Sequence, residues 1–325
     1  MSIEASTPPR VIVTRKLPDP VEERLRAHFV VALNETDAPF APSRLAEAMR
    51  EADGILCAVT DTITADLIAT TPRRARILAN FGVGVSNIDT GAAKEAGLVV
   101  GNTPDVLTDA TADIAIALML AATRRMYETE LMLRRGEWTG FRPTGHLGMG
   151  LRDKVIGIVG MGRIGQATAR RAALGFGMKV IYYNRSPLGP FDFPAESRPT
   201  IEAVMAEADV VSLHIPGGPE TRGRISADCI AAMKPTAYLV NTARGDIVDE
   251  PALVAALASG RIAGAGLDVF AEEPKVPVEL VALNNVTLLP HIGSATLETR
   301  TAMGMLAVDN LIAFFDGEAM PARVV

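Results

Sequence analysis

Short runs rich in β-branched residues alternate along this chain with longer stretches whose apolar positions recur at helical spacing. That alternation is the pattern of a parallel sheet flanked by helices. In the first third, strands are expected at Val11–Val13, Ile55–Val59, Ile77–Ala79 and Leu98–Val100. Helices are expected between them at Pro20–His28, Pro42–Glu51 and Thr90–Ala96, with Asp89 or Thr90 placed to cap the last. One long helix is expected from Asp105 to about Glu130; its apolar positions lie on nearly every side, which predicts burial between domains. The stretch Arg135–Gly150 is polar and glycine-bearing and holds the only tryptophan, Trp138, so it reads as an arm or linker.

A second set of strands is expected at Val155–Val159, Val180–Tyr183, Val210–Ile215, Ala237–Val240, Gly264–Leu267 and Val286–Leu289. Helices at Ile164–Leu174, Ile201–Glu207, Ala227–Met233 and Glu250–Ser259 fill the gaps, giving a doubly wound layout of six strands. A final helix is expected at Ala295–Phe315. At 325 residues the chain is too long for one ordinary core, so two domains are expected.

Composition narrows the class of function. Hydrophobic residues make up 48% and charged residues 22%, as in a packed globular protein. The net charge of −6 gives no electrostatic footprint for nucleic acid, so an acidic ligand must be drawn in by a local basic site. Cys57 and Cys229 sit in apolar surroundings without metal-like spacing, and no metal-ligand cluster is evident, so buried free thiols in a reducing compartment are expected. The start of the chain, Met1–Arg10, is polar and does not resemble a secretory signal, and the longest apolar run, Ile114–Ala122, is about half of a membrane span. A cytoplasmic protein with no membrane contact is expected.

The strand Val155–Val159 runs into Gly160-Met161-Gly162-Arg163-Ile164-Gly165, where a helix starts. This is G-x-G-x-x-G in the setting that dinucleotide binding requires. Gly160 permits the tight turn, Gly162 the close approach of a pyrophosphate, and Gly165 the packing of helix on strand, while the helix N-terminus offers free N–H groups. Gly160, Gly162, Arg163, Ile164 and Gly165 are therefore candidate cofactor contacts. The next strand ends in Asn184-Arg185-Ser186, where an NAD site usually carries a carboxylate for the ribose 2′-hydroxyl. Arg185 suits a 2′-phosphate instead, with Asn184 and Ser186 beside it, so NADP(H) is expected to be preferred, with NAD(H) also usable.

Three further strand ends carry unusual polar residues: Asn241-Thr242-Ala243-Arg244-Gly245, Asp268-Val269-Phe270-Ala271-Glu272-Glu273-Pro274 and Pro290-His291-Ile292-Gly293-Ser294. Ligands of doubly wound sheets bind outside the carboxyl ends of strands, so these segments can converge beside the nicotinamide. Reduction of a 2-oxo acid needs a hydride, a proton for the carbonyl oxygen and a cation for the carboxylate. Arg244 offers the planar cation, and His291 can donate the proton. A carboxylate beside it, such as Glu273, favours the protonated ring and orients it.

These motifs together resemble the D-isomer-specific 2-hydroxyacid dehydrogenases over essentially the whole chain. The resemblance implies an α/β fold of two doubly wound parallel-sheet, Rossmann-like domains with a cleft between them. Residues 1–101 and 292–325 would form a discontinuous substrate domain, and residues 102–291 the dinucleotide-binding domain. It implies Arg244, Glu273 and His291 as the catalytic set, with Asp268 at the nicotinamide carboxamide and Ala243 also at the cofactor. It implies that the loop Phe81–Asp89 presents backbone N–H groups, those of Val83 and Gly84, to the substrate carboxylate. Thr103–Asp109, Gly136–Thr139 and Gly317–Pro321 are most similar to the glyoxylate/hydroxypyruvate reductase branch, which implies a homodimer with Trp138 at the partner's substrate entrance. A dehydrogenase for another D-2-hydroxy acid, such as D-lactate or a 2-ketoaldonate, is the alternative within enzymes. A dinucleotide-sensing, corepressor-like binding protein is the alternative outside them.

Overall fold

The computed structural model describes residues 7–325. The polar start of the chain therefore falls in part, at residues 1–6, outside the described residues. The chain divides into two compact units, one of Met1–Leu107 with Ser294–Val325 and one of Thr108–Gly293. No helix among the described residues is long and apolar enough to cross a membrane.

In the first unit five strands run parallel: β1 (Arg10–Val13), β2 (Val30–Ala32), β3 (Gly54–Ala58), β4 (Ile77–Phe81) and β5 (Val99–Gly101). Their order is β2-β1-β3-β4-β5. Helices α1 (Asp19–His28), α2 (Pro42–Glu51), α3 (Ala65–Ile68), α4 (Thr90–Glu95) and, from the end of the chain, α12 (Leu297–Asp316) cover the sheet. Covered on both faces, its central strands read as unbroken apolar runs, and Val11, Ile12 and Val13 are all buried. α1 begins with Pro20 in its first turn, carries Asp19 and Glu22 at its amino end and Arg26 and His28 at its carboxyl end, and so complements the helix dipole. Asp89 caps α4 by accepting from the Ala92 N–H at 2.9 Å. α12 lies close on α1: a Cβ on Gly304 would stand 2.5 Å from the Val21 side chain.

The second unit has a parallel sheet of β6 (Val155–Val159), β7 (Lys179–Tyr183), β8 (Ala195–Ser197), β9 (Val210–Leu213), β10 (Tyr238–Asn241), β11 (Gly264–Leu267) and β12 (Val286–Leu288). The order is β12-β11-β10-β9-β6-β7-β8, so the winding reverses between β6 and β9. That reversal opens a crevice at the strands' carboxyl ends. Helices α5 (Thr108–Thr123), α6 (Met126–Arg134), α7 (Arg163–Phe176), α8 (Ile201–Glu207), α9 (Ala227–Ala232), α10 (Glu250–Ala258) and α11 (Val278–Val281) pack around it.

Two expectations need correction. The sheet has seven strands, not six; β8, like β2 in the first unit, is a three-residue edge strand with no apolar alternation to announce it. The long helix expected from Asp105 to Glu130 is two helices. α5 ends because the returning chain occupies its last carbonyls: the Met149 N–H donates to Thr123 O at 2.9 Å, and the Thr123 hydroxyl donates back to Met119 O at 2.7 Å. Arg125 then takes a left-handed conformation, φ 56°, and braces the new helix through Glu128. α5 is largely buried, whereas α6 buries none of its residues.

Gly266 in β11 is where α5 rests on the sheet: a Cβ there would stand 2.9 Å from the Leu118 Cβ. Gly266→Val forces the helix off its seat, and overpacking of this kind costs about 1–3 kcal/mol. The expected result is a lowered midpoint for denaturant unfolding of the Thr108–Gly293 unit; an unchanged midpoint would show that α5 does not depend on this contact.

Candidate active site

The glycine turn follows directly from β6. Gly160 has φ +96°, and a Cβ on it would lie 2.8 Å from the His214 carbonyl carbon, so both conformation and packing require glycine there. A Cβ on Gly165 would stand 2.1 Å from Gly160 O, which lets α7 sit hard against the turn. Gly162 faces open space instead, with nothing within 4 Å of its Cβ position. It caps α7, whose first turn of Arg163, Ile164 and Gly165 contains no acidic residue. A helix amino end, whose first N–H groups have no acceptor within the helix, with open ground above its capping glycine fits a pyrophosphate.

At the end of β7, Asn184 is a brace. Its Oδ1 accepts from the Met161 N–H at 3.1 Å, and its Nδ2 donates to Ser186 O at 2.9 Å. Gly160 N–H donates to Tyr183 O at 2.9 Å, so this strand end and the glycine turn are tied twice. Arg185 and Ser186 stand exposed just beyond. His214, at the end of β9, is kept neutral by burial, which pushes its pKa down to about 3, and its Nε2 lies 2.9 Å from the Ser212 hydroxyl.

The three polar strand ends converge within the second unit. Beyond β10, the buried Asn241 folds its own loop: its Oδ1 accepts from the Ala243 N–H at 2.9 Å and its Nδ2 donates to Arg244 O at 2.8 Å. Gly245 crosses the β11 loop backbone to backbone, a Cβ on it falling 1.9 Å from the Phe270 carbonyl carbon. Only glycine lets the Arg244 loop lie this close to the Glu273 loop. The Arg244 guanidinium is partly buried, and this desolvation pushes its pKa down, while Glu273 and Asp246 push it up; an arginine remains charged regardless. Thr242 Oγ1, in the same loop, is buried and has no hydrogen-bond partner among the described residues, which fits a polar ligand bound at this strand end.

Glu273 Oε2 lies 2.7 Å from His291 Nδ1, and Glu273 Oε1 accepts from the Phe270 N–H at 3.0 Å. Burial pushes the Glu273 pKa up, but the His291 hydrogen bond and charge, the Phe270 amide and the Arg244 charge outweigh it and hold the carboxyl below its usual range. With Nδ1 engaged by an ionised carboxylate, Nε2 is the nitrogen left for a substrate. His291 itself sits in the left-handed region at φ 53°, a conformation that persists only when its surroundings impose it.

Asp268 imposes it. It is 1% exposed; its Oδ1 accepts from the Ile292 N–H and its Oδ2 from the Gly293 N–H, both at 2.8 Å, and its carbonyl accepts from the His291 N–H at 2.9 Å. Burial raises its pKa against the pull of the two amides. The sequence puts Asp268 at the cofactor but gives no sign of this duty, and it shows Asn241 as a polar residue at a strand end without showing that it folds the Arg244 loop.

Val83 and Gly84 belong to the first unit. Asn102 Nδ2 donates to Val83 O at 2.8 Å and Asn80 Nδ2 to Gly84 O at 2.9 Å. The carbonyls are thus engaged, while the two N–H groups donate to no protein acceptor among the described residues. Trp138, Phe141 and Leu147, on the Arg135–Gly150 stretch of the second unit, are 56%, 88% and 66% exposed.

If the Asp268 carboxylate shapes the His291 turn, Asp268→Asn leaves one buried amide without an acceptor. That lowers unfolding stability by about 1–3 kcal/mol. Hydrogen exchange at Ile292 and Gly293 is expected to quicken selectively; protection unchanged at both amides would show that the turn is held by other means.

Comparison with known proteins places this geometry. Residues 116–293 match the NAD binding domain of the D-isomer specific 2-hydroxyacid dehydrogenases. Over 324 residues the chain is 46% identical to a glyoxylate reductase of Thermococcus litoralis, spanning 97% of this chain and 96% of that one. It is similar to the crystal structure of an NADPH-dependent glyoxylate/hydroxypyruvate reductase of Sinorhizobium meliloti in complex with NADP and malonate, at 39% identity and TM-score 0.88, covering 98% of this chain and 97% of that chain. A Thermus thermophilus protein of solved structure is 43% identical, with TM-score 0.88 over 97% of this chain and 100% of that one. The chain belongs to the D-isomer-specific 2-hydroxyacid dehydrogenase family and carries its nicotinamide-dinucleotide-binding domain.

Proposed function

We propose that this protein reduces small 2-oxo acids, glyoxylate to glycolate and hydroxypyruvate to D-glycerate, with NADP(H) preferred over NAD(H). The observation that carries the reading is the 2.7 Å Glu273–His291 pair, with Arg244 electrostatically coupled to Glu273, on the sheet that bears the glycine turn. The names of the Thermococcus and Sinorhizobium relatives favour these substrates over D-lactate or a 2-ketoaldonate. The complete Arg244, Glu273 and His291 set favours an enzyme over a dinucleotide-sensing binding protein.

In this reading the bound dinucleotide supplies a hydride to the carbonyl carbon. Gly160, Gly162, Arg163, Ile164 and Gly165 hold the pyrophosphate at the amino end of α7. Arg185 and Ser186 would hold the 2′-phosphate, and Ala243 and Asp268 would lie at the nicotinamide. Arg244 binds the substrate carboxylate and carbonyl oxygen through its planar fork, which fixes the face that reacts. The His291 Nε2–H gives its proton to the carbonyl oxygen as that oxygen gains charge, and the same nitrogen takes the proton back in oxidation. Glu273 keeps the ring oriented and supports its charged form. Residues 1–101 with 292–325 serve as substrate domain, and the N–H groups of Val83 and Gly84 are offered to the carboxylate. Trp138 and its exposed apolar neighbours suit an arm that embraces a second copy, and the resemblance to the reductase branch implies a homodimer with Trp138 at the partner's substrate entrance.

Steady-state kinetics with glyoxylate, hydroxypyruvate and other 2-oxo acids test the reading. His291→Ala is expected to lower kcat by about a hundredfold or more. Arg244→Ala is expected to raise KM and lower kcat together. Near-wild-type reduction by the His291 variant would remove the acid–base role. The hydrogen bond and charge of His291, the Phe270 amide and the Arg244 charge hold the Glu273 carboxyl below its usual range, so the partner of the ring is a carboxylate. Withdrawing it in Glu273→Gln therefore moves the high-pH limit of reduction to lower pH; an unmoved limit would leave Glu273 an orienting role alone. Trp138→Ala is expected to weaken hydroxypyruvate more than glyoxylate, and a monomeric mass in solution would rule out the arm.

A further inference from the structure

Arg185 is already engaged in the structure. Its Nη1 lies 3.5 Å from Glu220 Oε2, on the loop that follows β9. Both side chains are almost fully open to water, at 88% and 86%, and such a pair contributes little to stability. The backbones that present the two groups are nevertheless both pinned. Asn184 fixes the Arg185 side by its bonds to Met161 N–H and Ser186 O. On the Glu220 side, the Thr221 hydroxyl donates to Pro216 O at 2.6 Å, the Arg222 N–H donates to Gly218 O at 3.0 Å, and Gly223 N–H donates to Asp246 O at 2.8 Å. The next basic residue, Arg222, is turned to Asp246 at 3.5 Å and does not neutralise Glu220.

We propose that Glu220 is a specificity-determining residue of the dinucleotide site. Its carboxylate holds Arg185 when no 2′-phosphate is present and opposes that phosphate when it arrives, so it sets how strongly NADP(H) is preferred. The inference rests on the assignment of Arg185 to the 2′-phosphate made above. A phosphate monoester carries a charge of about −1.5 to −2 at pH 7. To reach Arg185 it must displace one anion and remain beside it, within the ~8–10 Å over which exposed charges still interact at moderate salt. A ribose 2′-hydroxyl carries no charge and meets neither the attraction nor the repulsion. Glu220 therefore acts on one dinucleotide and is silent toward the other.

The test is fluorescence titration of the purified enzyme with NADPH and with NADH, for the wild type, Glu220→Gln, Arg185→Ala and the double variant. Glu220→Gln is expected to tighten NADPH about threefold to fivefold, the range of an exposed charge pair, and to leave NADH unchanged. The gain is expected to shrink as salt rises from about 50 mM to about 500 mM, because screening removes it. NADPH affinity that ignores Glu220→Gln, while Arg185→Ala still erases the preference, overturns the role of Glu220 and leaves the cofactor assignment standing. An NADPH-to-NADH ratio that ignores Arg185→Ala overturns both. Equal tightening of NADH and NADPH by Glu220→Gln also overturns the proposal, since it marks a change in loop shape instead of charge.

Discussion

The buried carboxylate of Asp268 is the constraint on which the arrangement at the carboxyl edge of the sheet depends. A carboxylate shut away from water must have its lone pairs met, and here two successive backbone amides meet them, those of Ile292 and Gly293. Its own N–H donates to Asn241 O, so the ends of β10 and β11 and the segment after β12 are drawn to one residue. The left-handed turn at His291 is a consequence: the chain has to bend sharply after Pro290 to present both amides to one side chain. The Glu273–His291 pair then forms between segments whose backbones are already placed, which spares the ring the entropy of finding its partner.

Small residues do the complementary work. Gly245 crossing Phe270, Gly266 under Leu118 and Gly165 against the Gly160 carbonyl each let two backbones or a helix and a strand come closer than any side chain would permit. The first brings the Arg244 loop and the Glu273 loop together, and their charges are coupled in consequence. The second seats α5, and the third seats α7, whose amino end faces the crevice where the winding of the sheet reverses. Polar side chains then lock the loops from within: Asn241 for the Arg244 loop, Asn184 for the glycine turn, and Asn80 with Asn102 for the Val83–Gly84 loop of the first unit. Asparagine suits these three loops because its side chain can both accept and donate without bringing a charge into the site.

By itself the sequence determined the class of fold and pointed to the polar strand ends on which the proposed site rests. Central strands such as β1 and β6 were legible because both faces of a parallel sheet are covered, so burial leaves a continuous apolar run. The glycine turn was legible because strand, glycines and helix are adjacent along the chain, and Gly160 and Gly165 each answer a local steric demand. Arg244, Glu273 and His291 were legible as unusual polar residues at strand ends. Tertiary structure decided what depends on distant partners. The break after Thr123 depends on Met149 returning to take its carbonyl, the edge strands β2 and β8 depend on a neighbour that supplies hydrogen bonds, and the pairing of Arg185 with Glu220 spans two loops 35 residues apart. Periodicity records how deeply a residue is buried; it carries no record of which donor meets which acceptor, and that pairing is what shapes the site.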